Sequence, residues 1–187
     1  MMPPAYAELA VTTNFSFLRG GSHPQELVEA AARLGVSAIG IADRNSLAGV
    51  VRAHVAAKEH DIRLVIGVRL VLIDGFEVLC FPTDRNAYGR LTKLLTVGNR
   101  RAPKGECHLR LEDLSILGDG QRFIAMPPYD FGAGFRGDLD RFSATFSGQV
   151  YLAASFFYRG NDRARLEALA SLSTSLRAPL IATNDVL

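Results

Sequence analysis

Apolar and polar positions along this chain alternate between two periods. A strand-like run, AELAVT at residues 7–12, gives way to the polar, glycine-containing stretch TNFSFLRGG. Leu27, Val28, Ala31 and Leu34 then recur at helical spacing, which predicts an amphipathic helix. Ser22 with Gln25 three residues later has the form of a capping box, Pro24 suits the first turn, and Gly35 is placed to end the helix in the left-handed conformation. The nearly continuous apolar run VSAIGIAD, 36–43, reads as a strand covered on both faces. A second helix is expected from about Ser46, carrying Leu47, Val50, Val51, His54 and Val55, and RLVIG at 63–67 supplies the next strand.

The rhythm changes at VRLVLIDGFEVLCFP, where two β-rich runs flank Asp74-Gly75, the signature of a tight hairpin. Asp84 is placed to cap a helix in which Tyr88, Leu91, Leu94 and Leu95 share a face. The following GNRRAPKGECHLRLEDL reads as an exposed basic loop. RFIAMPP (122–128) and QVYLAAS (149–155) are expected strands, joined by DFGAGFRGD, whose glycines predict turns. A last helix is expected over Asp162 to Leu176, with Leu166, Leu169 and Leu172 inward, before the strand PLIATND at 179–185. Helices alternating with strands imply an α/β layered sheet or barrel, in which functional groups collect at the C-terminal ends of the strands.

Composition narrows the class. The chain has 187 residues, 48% of them hydrophobic and 21% charged, enough to bury a core in one domain. A net charge of +2 is too small to indicate a nucleic-acid or membrane binder by itself. Cys80 and Cys107 are the only cysteines, which excludes a disulfide framework and a four-thiolate zinc site. No apolar run reaches the roughly 18–20 residues of a membrane span, and MMPPAYAEL lacks the layout of a signal peptide. A cytoplasmic setting is expected, with no membrane partner.

The strand ends carry Asp43 and Asp185, but also Arg19, Arg44 and Arg69, and arginine cannot ligate a metal. His23, His54 and His60 have no ligand spacing with one another and are expected in surface or structural roles. The ordered segments NFSFLRGGSHPQELVEAAARLG, AIGIADRNSLAGVVRAHVAAKE, RLVIGVRL, DRNAYGRLTKLL and PLIATNDVL resemble the N-terminal PHP domain of bacterial C-family replicative polymerases, most of all the error-prone branch. The likeness covers nearly the whole chain. It implies a distorted β/α barrel over 1–187 as a single PHP-like domain, the N-terminal fragment of a larger polymerase, with a β-hairpin inserted after the third strand.

In that family a metal-dependent phosphoesterase site lies at the strand ends, and its ligand positions can be followed here. The His-x-His motif falls on Ala10 and Thr12, the acid of the next turn on Arg19, the histidine after Asp43 on Arg44, and the glutamate of Gly-x-Glu on Arg69. The family's hairpin histidine aligns with Glu77, and the closing Asn-Asp-x-His motif keeps Asn184 and Asp185 but ends in Leu187. The resemblance therefore implies a degenerate site, with no cofactor in this chain and no catalytic residue. Arg19, Arg44 and Arg69 facing Asp43, Glu77 and Asp185 would form an ion-pair or anion-binding cluster.

For the parent protein the resemblance implies DNA-directed DNA polymerase activity, a nucleotidyltransferase working in replication, DNA damage, repair and translesion synthesis. Magnesium would serve its polymerase core. The chain itself would dock against the remainder of the polymerase, with DNA reached through the parent and other damage-tolerance subunits as further partners. Arg100, Arg101 and Lys104 are candidate DNA contacts. The pairs Phe15/Phe17 and Phe156/Phe157 are read as packing or docking residues in preference to base-stacking platforms. The competing readings are a metal-dependent phosphoesterase or proofreading exonuclease, and a freestanding module that binds an anion or DNA.

Overall fold

The computed structural model describes residues 6–187, so the reading of the extreme N-terminus lies in part outside the described residues. The chain groups into two compact units. One takes the chain up to Arg69 together with Thr183–Leu187, and the other is Leu70–Ala182.

In the first unit, β1 (Ala7–Val11) pairs in parallel with β2 (Ala38–Arg44), and β2 with β3 (Arg63–Val71), whose last two residues open the second unit. Helix α1 (Pro24–Arg33) crosses from β1 to β2, and α2 (Val50–Glu59) from β2 to β3. Their shared core is Val11, Val28, Ala31, Ile39, Ile41, Ala53, Ala56 and Ala57. The N-cap of α1 is His23, one residue later than the Ser22 box predicts, because Glu26 reaches back to the His23 amide at 2.7 Å. Leu34 falls at the C-cap and is 78% exposed, not inward, and Gly35 follows with φ 70°.

The inward face of α2 also differs from the sequence reading. Val51 and Val55 are exposed, and alanines 53, 56 and 57 face the core. Small side chains let two helices approach closely, and the helical period leaves the flanking valines on the outer side.

In the second unit the chain turns at Asp74-Gly75, with Gly75 at φ 88° and the Leu72 amide donating to the Phe76 carbonyl at 3.0 Å. Strand β4 (Glu77–Pro82) pairs antiparallel with β5 (Gln121–Ala125), and β5, β6 (Val150–Ala154) and β7 (Leu180–Ala182) continue in parallel. Asp84 caps α3 (Arg85–Arg101), accepting from the Ala87 amide at 2.8 Å. The basic stretch is only partly a loop, since α3 runs to Arg101 and α4 (Leu111–Leu117) follows.

The glycine-rich connection is likewise not a run of turns. It enters α5 (Ala133–Thr145), in which Gly134 and Gly137 stand in open space while Leu139 and Phe142 are buried. Phe142 packs among Phe76, Phe123 and Phe146, with ring centroids 4.8 to 5.3 Å away, and burial of this aromatic cluster outweighs the helix cost of two glycines. The last helix, α6, spans Asp162–Leu176, as its spacing predicts.

Arg101 grips Asp113 with two bonds of 2.6 and 2.8 Å, and Asp113 also accepts from the Arg110 amide at 2.9 Å. The guanidinium hydrogen bond holds the Asp113 carboxyl below its ordinary range. A depressed folded value means that its contribution is complete above the unfolded value near ~4 and is lost as pH falls through the folded one. Asp113→Asn should therefore cost roughly 0.5–1 kcal/mol near neutral pH, a modest figure because Arg101 stays about a third exposed and water screens the pair. The difference from the parent chain should vanish in acid melts followed by circular dichroism.

Candidate functional site

The site is built in the first unit, where β1 and β2 end. Strand β2 is apolar and buried along its length and closes on Asp43, which is 1% exposed. A carboxylate taken out of water needs several donors, and the stretch that follows β1 supplies them. The Thr13 amide donates to Oδ1 at 2.8 Å, the Thr13 hydroxyl reaches Oδ2 at 2.9 Å, and the Ser16 hydroxyl reaches Oδ1 at 2.7 Å. Ser16 Oγ in turn accepts from the Arg44 amide at 2.8 Å, so the loop is tied to both sides of the strand end. Gly49, which starts α2, lies against this cage: a Cβ there would sit 2.7 Å from Asp43 Oδ2 and 3.0 Å from Thr13 Oγ1.

Arg69 is the second centre. Its place on β3 pairs with Arg44 on β2, it is 1% exposed, and its guanidinium donates to Asp185 Oδ1 in an ion pair. Asp185 is about a quarter exposed at the side chain and has a left-handed backbone, φ 51°, which aspartate tolerates better than most residues.

A third buried acid was not singled out by its sequence context. Glu8 of β1 is 6% exposed and accepts from the Tyr6 hydroxyl at 2.6 Å, the Ala10 amide at 2.9 Å, the Asn184 amide at 2.8 Å and the Thr183 hydroxyl. Burial, then the Glu8 bond and charge, push the Tyr6 hydroxyl above its ordinary pKa. A lone glutamate in an apolar strand was the available signal, as were the hydroxyls of TTNFS for the Asp43 cage. The donors on residues 183 and 184 had no signal, because nothing local marks a partner so distant in the chain.

The remaining ligand-position residues differ in exposure. Ala10 and Thr12 are fully buried, Thr12 Oγ1 has no hydrogen-bond partner, and the Thr12 amide donates to the Val186 carbonyl at 2.9 Å. Arg19 is half-buried in the turn after Ser16, Arg44 is exposed, and Leu187 is 56% exposed. Glu77 belongs to the second unit, half-buried at the start of β4. Of the basic candidates, Arg101 is engaged by Asp113, while Arg100 and Lys104 are exposed. Among the described residues no three His, Cys, Asp or Glu side chains group so as to hold a metal ion.

Parallel strands, crossover helices and buried acids at the strand ends define an α/β domain whose polar side chains gather where the strands end. The chain belongs to the PHP domain family, which matches residues 8–168. It is 53% identical over 193 residues to an error-prone DNA polymerase of Rhodopseudomonas palustris strain BisB5, covering all of this chain and 17% of that protein. It is also 53% identical to an error-prone DNA polymerase of Caulobacter vibrioides, again across all of this chain and 17% of the relative. The chain thus spans about a sixth of the length of these relatives.

Among solved structures, a protein assigned as a metal-dependent phosphoesterase from Bifidobacterium adolescentis superposes with a TM-score of 0.72 at 17% identity, over 98% of this chain and 88% of that one. An amidohydrolase from Chromobacterium violaceum, with bound sulfate and no metal, gives 0.74 at 16% identity, over 97% and 87%. The α/β PHP-like fold expected from the sequence is the fold these proteins share. Among the described residues no helix is long and apolar enough to cross a membrane.

The contacts around Gly49 make a sharp test of the Asp43 cage. Gly49→Ala should destabilise the chain by roughly 1–3 kcal/mol, because the new methyl meets a carboxylate oxygen and a hydroxyl held in place by their own bonds. Denaturant unfolding measures the loss. Substitution of Gly21, which has open space around it, should be nearly neutral by comparison.

Proposed function

We propose that this chain is the PHP domain of an error-prone DNA polymerase and serves it structurally, as a docking platform whose metal site is degenerate. The carrying observation is the state of the acids at the strand ends. Asp43 is saturated by Thr13 and Ser16, and Asp185 is paired with Arg69. The donor set does not fit a divalent ion, since Ala10, Thr12, Arg19, Arg44 and Arg69 stand where imidazoles and carboxylates would be needed. Arginine brings a fixed positive charge to the same place and neutralises Asp185 without a metal.

The parent polymerase would extend DNA across lesions in damage-induced synthesis and repair, with magnesium held in its own polymerase core. The docking role is supported by exposed apolar side chains beyond β1, where Phe17 and Leu18 are 87% and 90% exposed. Large apolar side chains side by side in solvent mark a surface that another chain segment covers. The remainder of the polymerase is the partner that this reading assigns to that surface, and DNA contact through Arg100 and Lys104 would be secondary to it.

Titration of the chain with manganese and with zinc, read by calorimetry beside a generic phosphodiester assay, should show neither tight binding nor hydrolysis. Stoichiometric metal with turnover would replace this reading with a metal-dependent phosphoesterase. Arg69→Met removes the charge and keeps the bulk, leaving Asp185 unpaired. It should cost roughly 2–4 kcal/mol in urea unfolding, below the top of the range for breaking buried pairs because Asp185 keeps some contact with water.

A further inference from the structure

The loop between β6 and α6, Ser155–Asn161, together with the first turn of α6, is built unlike an ordinary connection. Two buried charges hold it from below. Asp162 is 3% exposed and accepts from the Phe157 amide at 2.6 Å and the Arg159 amide at 2.8 Å. Burial alone would raise its carboxyl, but the backbone amides of Phe157, Arg159, Gly160 and Asp162 outweigh that and keep it ionised. Arg165 is 6% exposed, donates to the carbonyls of Tyr129 and Ser155 at 3.0 and 3.4 Å, and lies 5.0 Å from the Phe157 ring centroid.

The upper side of the same loop is aromatic and open. Phe156 is 48% exposed and Tyr158 is 88% exposed, the two rings meeting edge to face at 4.9 Å. Tyr158 has φ 57°, a left-handed backbone that bulky residues rarely adopt, so the anchored loop holds the ring outward at a conformational cost. Beside them the Arg159 guanidinium stacks 4.3 Å over the Tyr129 ring, and Arg163 is 93% exposed, its Nε 3.4 Å from Glu167 in a solvated pair that a phosphate can displace.

We propose that this loop is a stacking site for single-stranded nucleic acid, with bases against Tyr158 and Phe156 and backbone phosphates at Arg159 and Arg163. The composition favours nucleic acid over a protein partner. The segment SFFYRGNDR contains three aromatic rings and two arginines but no aliphatic side chain, and its one acid is buried and fully used. Ring faces flanked by guanidinium groups suit bases and phosphates, and with its one acid buried the segment presents no exposed negative charge to repel a phosphate backbone. A loop already ordered also avoids the entropy of arranging the rings on binding.

The test is fluorescence anisotropy of labelled oligo(dT), and of a duplex of equal length, titrated with the 187-residue chain. The single strand should bind more tightly than the duplex. Tyr158→Asn, which tolerates the left-handed backbone, and Phe156→Ser should each weaken oligo(dT) binding by about fivefold or more, with unchanged melting temperature. Arg159→Ala should lower the slope of log affinity against log salt by about 0.7.

A double variant, Arg100→Ala with Lys104→Ala, separates this site from the basic segment after α3 and should retain the preference for single strands. No binding, equal binding of the duplex, or ring variants that bind like the parent chain would overturn the proposal. So would a ring-dependent self-association, which would make the surface a protein interface.

Discussion

A carboxylate withdrawn from water must be met by donors or by a fixed positive charge, and this constraint organises the whole of the first unit. Asp43 meets it with an amide and two hydroxyls from the stretch after β1, Glu8 with four donors of which two lie near the C-terminus, and Asp185 with Arg69. The loop after β1 takes its shape from the first of these. Gly49 can start α2 where it does only because it presents no side chain to the same carboxylate. An unmatched buried charge costs several kcal/mol, so each arrangement is strongly favoured over its alternatives.

Under the function proposed above, these pairings stand in for a metal centre at the strand ends. A metal centre draws several strand ends together through one cation. Here the same convergence is divided between a hydrogen-bonded cage at Asp43 and an ion pair at Arg69. Solved structures at 16–17% identity share the same architecture over nearly the whole chain.

Most of the regular elements were legible from periodicity, and the exceptions share a cause. Val51 and Val55 suggested the buried face of α2, yet alanines occupy it, since close helix packing can favour small residues over large apolar ones. Helix α5 was hidden by glycines whose local cost is outweighed by the burial of Phe142, a tertiary effect invisible to a local window. At the site, the positions of Arg69 and Asp185 could be marked from motif order. The partners of Asp43 could not, because hydroxyls in a loop carry no periodic signal and find their acceptor only once β2 is in place.

The Glu8 clasp has a consequence for biosynthesis. Its bonds to Thr183 and Asn184 join residues 175 and 176 positions apart, and Leu70–Ala182 lies between them as a unit of its own. On the ribosome, the inserted unit emerges and can fold while the first strand still lacks its closing segment. The unit that begins first is therefore closed after the one inserted in it, and until Thr183 and Asn184 emerge Glu8 has only its local donors, the Tyr6 hydroxyl and the Ala10 amide.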